Sequence, residues 1–224
     1  MLFQTLLILH ITAGTIGLLS GTIATVVIKG KKAHLINGQI FFYSMLVTAL
    51  CALVMSNLPE HHNIFLFAVG GFTFYMITTG YRIIWLKRAL KKTIAPIAVI
   101  DYALFAFGIG FGIFLVILSI ISLIKGEMFG WVPLTFGLIC MNYARMDYFL
   151  LKGIKPIKNV WMSNHITRMI GALIASYTAF LVVNVQIDMQ WILWLLPSAI
   201  GGYLIKTFLN KYAPKKLIKA KQRT

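Results

Sequence analysis

Seven long apolar stretches, separated by short polar connections, constrain this chain more than any other feature of its sequence. They cover approximately residues 3–28, 38–57, 64–86, 98–124, 128–151, 161–184 and 191–208. A helix of about 20 apolar residues crosses a bilayer core of about 30 Å, so each stretch can span a membrane. The sequence predicts an all-α fold, a polytopic transmembrane bundle of about seven helices. Pro133 is expected to bend the first third of the fifth helix.

The composition favours a membrane protein over a soluble one. Of the 224 residues, 59% are hydrophobic and 12% are charged, whereas soluble domains have about 45–50% apolar and about 25% charged residues. The formal net charge of +16 suggests nucleic-acid binding in a soluble protein, but here the charges lie between apolar stretches. We expect one transmembrane domain, residues 1–208, a basic cytoplasmic tail, residues 209–224, and no nucleic-acid partner.

Lys and Arg are concentrated in alternate connections. The first, third and fifth connections and the tail hold nearly all those outside the spans, whereas the other connections hold one basic and three acidic residues, Lys125, Glu60, Glu127 and Asp188. Because short cytoplasmic loops collect Lys and Arg, this pattern predicts an outer N-terminus and an inner C-terminus. The tail is then expected to contact anionic lipids of the inner leaflet.

One face of the first helix consists of small residues with a histidine at its outer end. The residues that share this face are His10, Gly14, Gly17, Gly21 and Ala24, at steps of four, three, four and three. Glycine at this spacing allows neighbouring helices to pack tightly. His10 on the same face needs a hydrogen-bond partner or a ligand.

The sixth span contains two ionisable residues, His165 and Arg168. Three positions apart on a helix, they share one face, which continues through small residues such as Ala172. A charge inside a membrane costs about 3 kcal/mol by insertion scales, so the pair should face the protein interior and a partner.

Other charged residues are predicted at a similar depth. At about 1.5 Å per residue, a group of six lies within about 15 Å of the cytoplasmic surface, with His34 close to the same level: Arg82, Asp101, Arg145, Asp147, His165 and Arg168. Two interpretations stay open. These residues anchor helix ends as snorkelling or ion-paired groups, or they line a cytoplasm-facing cavity for a cofactor, an anion or protons.

Three histidine motifs follow one another along the chain. They are His10-x3-Gly14 with Gly21, His34-x3-Gly38, and His165-x2-Arg168-Met169. In these motifs the chain, from Leu9 to about Asn184, resembles family 2306 of the domains of unknown function, a group of prokaryotic multi-helix membrane proteins. Family members often carry H-R-x-x-G-R-x-Y at the second motif, where this chain has Leu35, Gln39 and Phe41. The resemblance implies a helix bundle in a bacterial cytoplasmic (inner) membrane and no particular activity.

The first functional hypothesis is a haem- or metal-binding membrane protein, linked to electron transfer from quinol or to respiratory assembly. Neutral imidazole is a common ligand of haem iron and of several metals. His34 and His165, at similar depth on different helices, could flank one haem b or metal ion. His10 lies nearer the outer face, and Arg168 suits a carboxylate of the cofactor.

Two further hypotheses remain. A proton-coupled carrier of a small solute or anion would use Asp101, Asp147 and His165 with the arginines as a titratable path. A non-catalytic assembly or interaction protein, forming homo-oligomers or binding a respiratory partner, would use the polar residues only to hold helices together. The sequence does not decide whether the protein is an enzyme, and it contains no HExxH or GxSxG motif of a hydrolase.

Overall fold

The structure, a computed structural model, describes residues 1–89 and 97–213. Within these ranges it contains seven α-helices and no strand: α1 (Leu2–Val26), α2 (Lys32–Met55), α3 (Ile64–Ala89), α4 (Val99–Ile124), α5 (Trp131–Leu151), α6 (Ile157–Asn184) and α7 (Trp191–Tyr212). Six of them, all except α5, are long and apolar enough to cross a membrane. The all-α prediction is confirmed, and the six helices have the character of a multi-pass membrane protein.

Several helices extend beyond the apolar stretches that predicted them. α2 begins at Lys32 instead of residue 38, α6 begins at Ile157 instead of residue 161, and α7 continues to Tyr212. These additional turns contain polar and basic residues, so an apolar pattern does not detect them. Residues 209–212 of the predicted tail therefore belong to α7, and residues 87–89 of the third connection belong to α3. Residues 90–96 and 214–224 lie outside the described residues.

Pro133 has a different role from the predicted one. α5 begins at Trp131, after a 3-10 turn at Met128–Gly130, and Pro133 is therefore in its first turn. The first backbone N–H groups of a helix have no acceptor within it, so proline there costs no hydrogen bond. Pro133 is compatible with the start of α5, where it removes no helical hydrogen bond whose loss would produce the bend predicted for the first third of the helix.

The helices form two groups of four that share α3 and α6. In the histidine bundle, α1 packs on α2, α2 on α3, α3 on α6, and α6 on α1. In the charge bundle, α4 and α5 form a pair that packs on α3, and side chains of α5 reach α6. α7 packs on the outside of α6. Because α3 has neighbours on most sides, it is the most buried of the six candidate spans.

The small-residue face of α1 lies inside the histidine bundle, in agreement with the tight packing predicted for it. Gly17, Gly21 and Ala24 are buried. A Cβ at Gly21 would lie 2.8 Å from carbon atoms of both Phe41 and Leu173, so a larger residue would separate α1 from α2 and α6. These contacts extend into the main apolar core around α3.

The two ends of the molecule differ in charge. At one end, which we call the basic end, the Lys29 ammonium lies 4.5 Å from the ring centre of Phe208 on α7. At the same end the Lys87 ammonium lies 3.7 Å from the ring of Trp161. At the opposite end Phe65 of α3 packs edge-on against Trp194 of α7, with ring centres 5.5 Å apart. The basic end is the one predicted to face the cytoplasm.

Candidate functional site

His34 and His165 make the same type of hydrogen bond to a neighbouring helix. Nδ1 of His34 lies 3.0 Å from the carbonyl oxygen of Ala24 on α1, and Nδ1 of His165 lies 3.0 Å from that of Gly80 on α3. A carbonyl oxygen can only accept, so Nδ1 carries the proton in both rings. In the neutral form of the ring, Nε2 then carries the lone pair with which a histidine binds metals.

These two histidines lie on α2 and α6, toward the basic end of the histidine bundle. Gly38, one helical turn after His34, faces open space, since a Cβ there would meet no atom within 4 Å. No described atom fills the space next to Gly38 on the helix that carries His34.

His10 lies apart from this pair. Its Nδ1 donates to the carbonyl oxygen of Thr48 on α2 over 3.0 Å, the same type of contact with a neighbouring helix that the other two histidines make. Along α1, His10 is 14 residues before Ala24, the partner of His34, or about 20 Å at the rise of an α-helix. His10 therefore cannot share a ligand with His34 and His165.

Gly80 allows α3 and α6 to approach closely where His165 binds. A Cβ at Gly80 would lie 2.9 Å from Cβ of Arg168 and 3.1 Å from the sulfur of Met169. These distances are shorter than ordinary van der Waals contacts, so any larger side chain would push the two helices apart. The carbonyl of Gly80 is thus placed against His165 because its own residue has no side chain.

The side chains of Arg168 and His165 contact different helices, although the two residues share a face of α6. The guanidinium of Arg168 crosses to α5 and forms a two-pronged ion pair with Asp147, with Nη2 2.5 Å from Oδ1 and Nη1 3.2 Å from Oδ2. Nη2 also donates to the carbonyl oxygen of Tyr143. The Tyr75 hydroxyl donates to Oδ2 of Asp147 over 2.5 Å. The Arg168 side chain is only 1% exposed. Because its hydrogen-bond partners lie on α5, it belongs to the charge bundle.

Arg82 and Asp101 form the second ion pair of the charge bundle. Nε and Nη2 of Arg82 lie 2.7 Å from the two carboxylate oxygens of Asp101, and the guanidinium stacks on Trp85. Oδ2 of Asp101 also accepts the backbone N–H of Ala98 at the start of α4. A carboxylate is favourable at a helix N-terminus, so Asp101 both caps α4 and neutralises Arg82.

A small cavity of about 30 Å³ lies between the two ion pairs. Its lining comes from α3, α4, α5 and α6 and includes both pairs together with Asn164. Arg145 has no part in it, because its side chain is exposed and bonds Asn142 on its own helix. Of the four residues expected in a buried charge network, Arg82, Asp101 and Asp147 are therefore brought together and Arg145 is not.

The sequence interpretation missed Tyr75 and Asn164, although their spacing carries a signal. Tyr75 lies on the same face of α3 as Arg82, seven residues before it, and Asn164 lies one turn before Arg168 on α6. The signal for both positions is a polar residue one or two helical turns from a buried charge, on the same face of the helix.

No family model, curated protein or solved structure matches this chain. The resemblance to family 2306 of the domains of unknown function therefore stays a prediction.

The donor set distinguishes the two cofactors that the sequence suggested. Among residues 1–89 and 97–213, no group of three or more His, Cys, Asp or Glu side chains is placed to hold a metal ion. A protein-bound zinc ion takes at least three such ligands. Haem iron needs only axial ligands from the protein. The absence of a three-residue ligand group among the described residues therefore does not bear on haem.

Proposed function

We propose that this protein is a haem-binding membrane protein of electron transfer, in which His34 and His165 hold one haem b. The observation that supports this most is the shared geometry of the two rings. Each donates Nδ1–H to a main-chain carbonyl and directs a free Nε2 away from it. Histidine ligands of metals almost always donate their other ring N–H in this way, which fixes the tautomer and the ring orientation.

The surrounding helices suit such a role. Ala24 and Gly80, whose carbonyls orient the two rings, lie on α1 and α3, so all four helices of the histidine bundle contribute to the site. Haem supplies one-electron chemistry, with a potential that depends on its axial ligands and on the polarity of its surroundings. The chain's own part is to present neutral imidazoles and to exclude water with apolar helices.

The proposal places the site near the cytoplasmic side of a bacterial inner membrane. The basic end then faces inward, as the distribution of Lys and Arg indicates, and the tail contacts anionic lipids. A membrane quinol or a respiratory partner protein would exchange electrons with it. Arg168 is already paired with Asp147, so we do not assign it to the cofactor's carboxylates.

Haemin titration of the detergent-purified chain tests this proposal. The wild-type protein is expected to take up about one haem, with a sharp Soret band. His34→Ala and His165→Ala should each abolish that band, while His62→Ala, an exposed histidine at the opposite end, should leave it unchanged. Equal binding by all four proteins would contradict the assignment, provided that size-exclusion profiles show each variant to be folded.

A second candidate, a proton-coupled carrier, is supported by a separate observation. Two ion pairs enclose a cavity within otherwise apolar helices, and intramembrane charges often mark proton or ion pathways. Vesicles containing the protein and a trapped pH-sensitive dye would report proton flux after a pH jump. Asp147→Asn should abolish flux while Arg145→Gln preserves it; flux unaffected by Asp147→Asn would contradict this candidate.

A further inference from the structure

The cavity of the charge bundle supports an inference that does not depend on the histidines. Its volume is about 30 Å³, and a space of this kind needs about 10–15 Å³ to hold one water molecule. The lining extends from Thr79 and Arg168, deep in the bundle, to Leu86 and Leu151 in the last turns of α3 and α5. It therefore lies between the buried ion pair and the basic end.

Two polar atoms of the lining residues are buried and have no hydrogen-bond partner among the described residues. They are Nε of Arg168 and Oδ1 of Asn164, on residues that are 1% and 4% exposed. The other polar atom of Asn164, Nδ2, donates to the carbonyl oxygen of Val160 over 3.0 Å. A buried polar group without a partner costs about 1–3 kcal/mol, so both atoms call for a ligand.

The chemistry of the two atoms defines that ligand. Nε–H of Arg168 is a charged donor and Oδ1 of Asn164 is an acceptor, so one small ligand that serves both must accept and donate. An anion is opposed by the carboxylates of Asp101 and Asp147, which also line the cavity. A metal cation is opposed by the two guanidinium groups beside it. Water meets both requirements and fits the volume.

We propose that this cavity is a binding site for about two ordered water molecules that connect the two ion pairs. The water accepts from Nε–H of Arg168, donates to Oδ1 of Asn164, and reaches the carboxylates of Asp101 and Asp147. These water molecules extend the solvent from the basic end to the guanidinium of Arg168, which is otherwise enclosed. In the carrier hypothesis, this is the place where a proton from the cytoplasm would first meet the buried pair.

Radiolytic hydroxyl labelling of the full chain in detergent tests the proposal, because radicals formed from bound water mark the side chains beside it. Leu104 and Leu150 line the cavity and are 8% and 7% exposed. Leu173 and Leu193 are 8% and 6% exposed and do not line it. We expect several-fold faster labelling of the first pair. Equal rates for the two pairs would show a dry cavity and overturn the proposal.

A variant of Asn164 provides an independent measurement. Asn164→Leu has nearly the same shape without the acceptor and should lower the labelling of Leu104 and Leu150 to the rate of the two control leucines. Labelling of Leu104 and Leu150 that stays high in folded Asn164→Leu would mean that the water does not depend on this side chain, and would contradict the site.

Discussion

Arg168 of α6 and Asp147 of α5 form an ion pair in which Nη2 lies 2.5 Å from Oδ1, and the guanidinium is almost completely enclosed. This pair holds α6 against α5, while the carbonyl of Gly80 holds His165 three residues earlier against α3. A single stretch of α6 thus links the charge bundle to the histidine bundle. The loss of either contact should have a measurable effect on stability or on haem binding.

Loss of the carboxylate should destabilise the protein strongly. Asp147→Asn leaves Arg168 as a buried charge without a counter-ion, and breaking a buried pair in this way costs about 3–5 kcal/mol. Unfolding in detergent as a function of denaturant measures the loss. Arg145→Gln, two residues away on the exposed side of α5, should change stability by less than about 0.5 kcal/mol.

Replacing both members of the pair should restore much of that loss. Asp147→Leu with Arg168→Met removes two charges together, and such apolar replacements of buried pairs are often neutral or stabilising. The same unfolding experiment should place the double variant clearly above Asp147→Asn. A double variant as unstable as the single one would show that the cost arises from packing and not from the unpaired charge.

The Tyr75 hydroxyl should contribute through its bond to the same carboxylate. Tyr75→Phe removes a hydrogen bond to a charged group, which is worth about 1.5–3 kcal/mol, and leaves the ring in place against Phe107. Tyr102→Phe, an exposed tyrosine of α4, is the matched control. Equal stabilities of the two variants would argue against the Tyr75–Asp147 contact.

Gly80→Ala should separate α3 from α6 at the proposed haem ligand. The added Cβ would approach Cβ of Arg168 to 2.9 Å, so we expect lower stability and weaker haem binding together. Gly110→Ala, at an exposed helical position of α4 where a Cβ meets nothing within 4 Å, should be neutral or stabilise by about 0.5–1 kcal/mol. Unchanged haem affinity in Gly80→Ala would contradict the role of this contact in holding His165.

Lys29, in the connection between α1 and α2, provides a pH-dependent prediction. Burial lowers the pKa of Lys29, and the nearby ammonium of Lys211 on α7 lowers the pKa further. Between this lowered pKa and the ordinary value of 10.5, the unfolded chain binds more protons, so Lys29 makes stability rise with pH.

Lys211→Gln should raise the pKa of Lys29 and thereby reduce the increase of stability with pH. Lys206→Gln, elsewhere on α7, should change neither the pKa nor the pH dependence. Resonances of isotopically methylated lysines report the pKa directly. A Lys29 pKa that is equal in both variants would show that α7 does not bring Lys211 close to the α1–α2 connection.

The sequence predicts the helices far better than it predicts how the charged side chains pair. Apolar length is a local property, and it located the seven described helices within four residues at every end except the start of α2, which is six residues earlier than predicted. The partners of Arg168 depend on how α5, α3 and α6 pack, which no spacing within α6 reveals. His165 and Arg168 share a helical face by spacing, yet a separation of about 60° around the axis lets one side chain contact α3 and the other α5.

Arg145 and Asp147 show the same limit on α5. Both lie in one polar run, and the hydropathy pattern does not distinguish them. Their side chains point to different sides of the helix, so one is exposed and the other meets Arg168. The predicted depth of a residue does not give the direction of its side chain, which depends on how the helices pack.

The absorption spectrum of the purified protein, expressed with ample haem and recorded oxidised and dithionite-reduced, tests the central claim most directly. We predict a Soret band and reduced α and β bands at about one haem per chain, lost together in His34→Ala and His165→Ala and retained in His62→Ala. A colourless wild-type protein, or one whose bands survive both substitutions, would contradict the assignment of these two histidines as haem ligands.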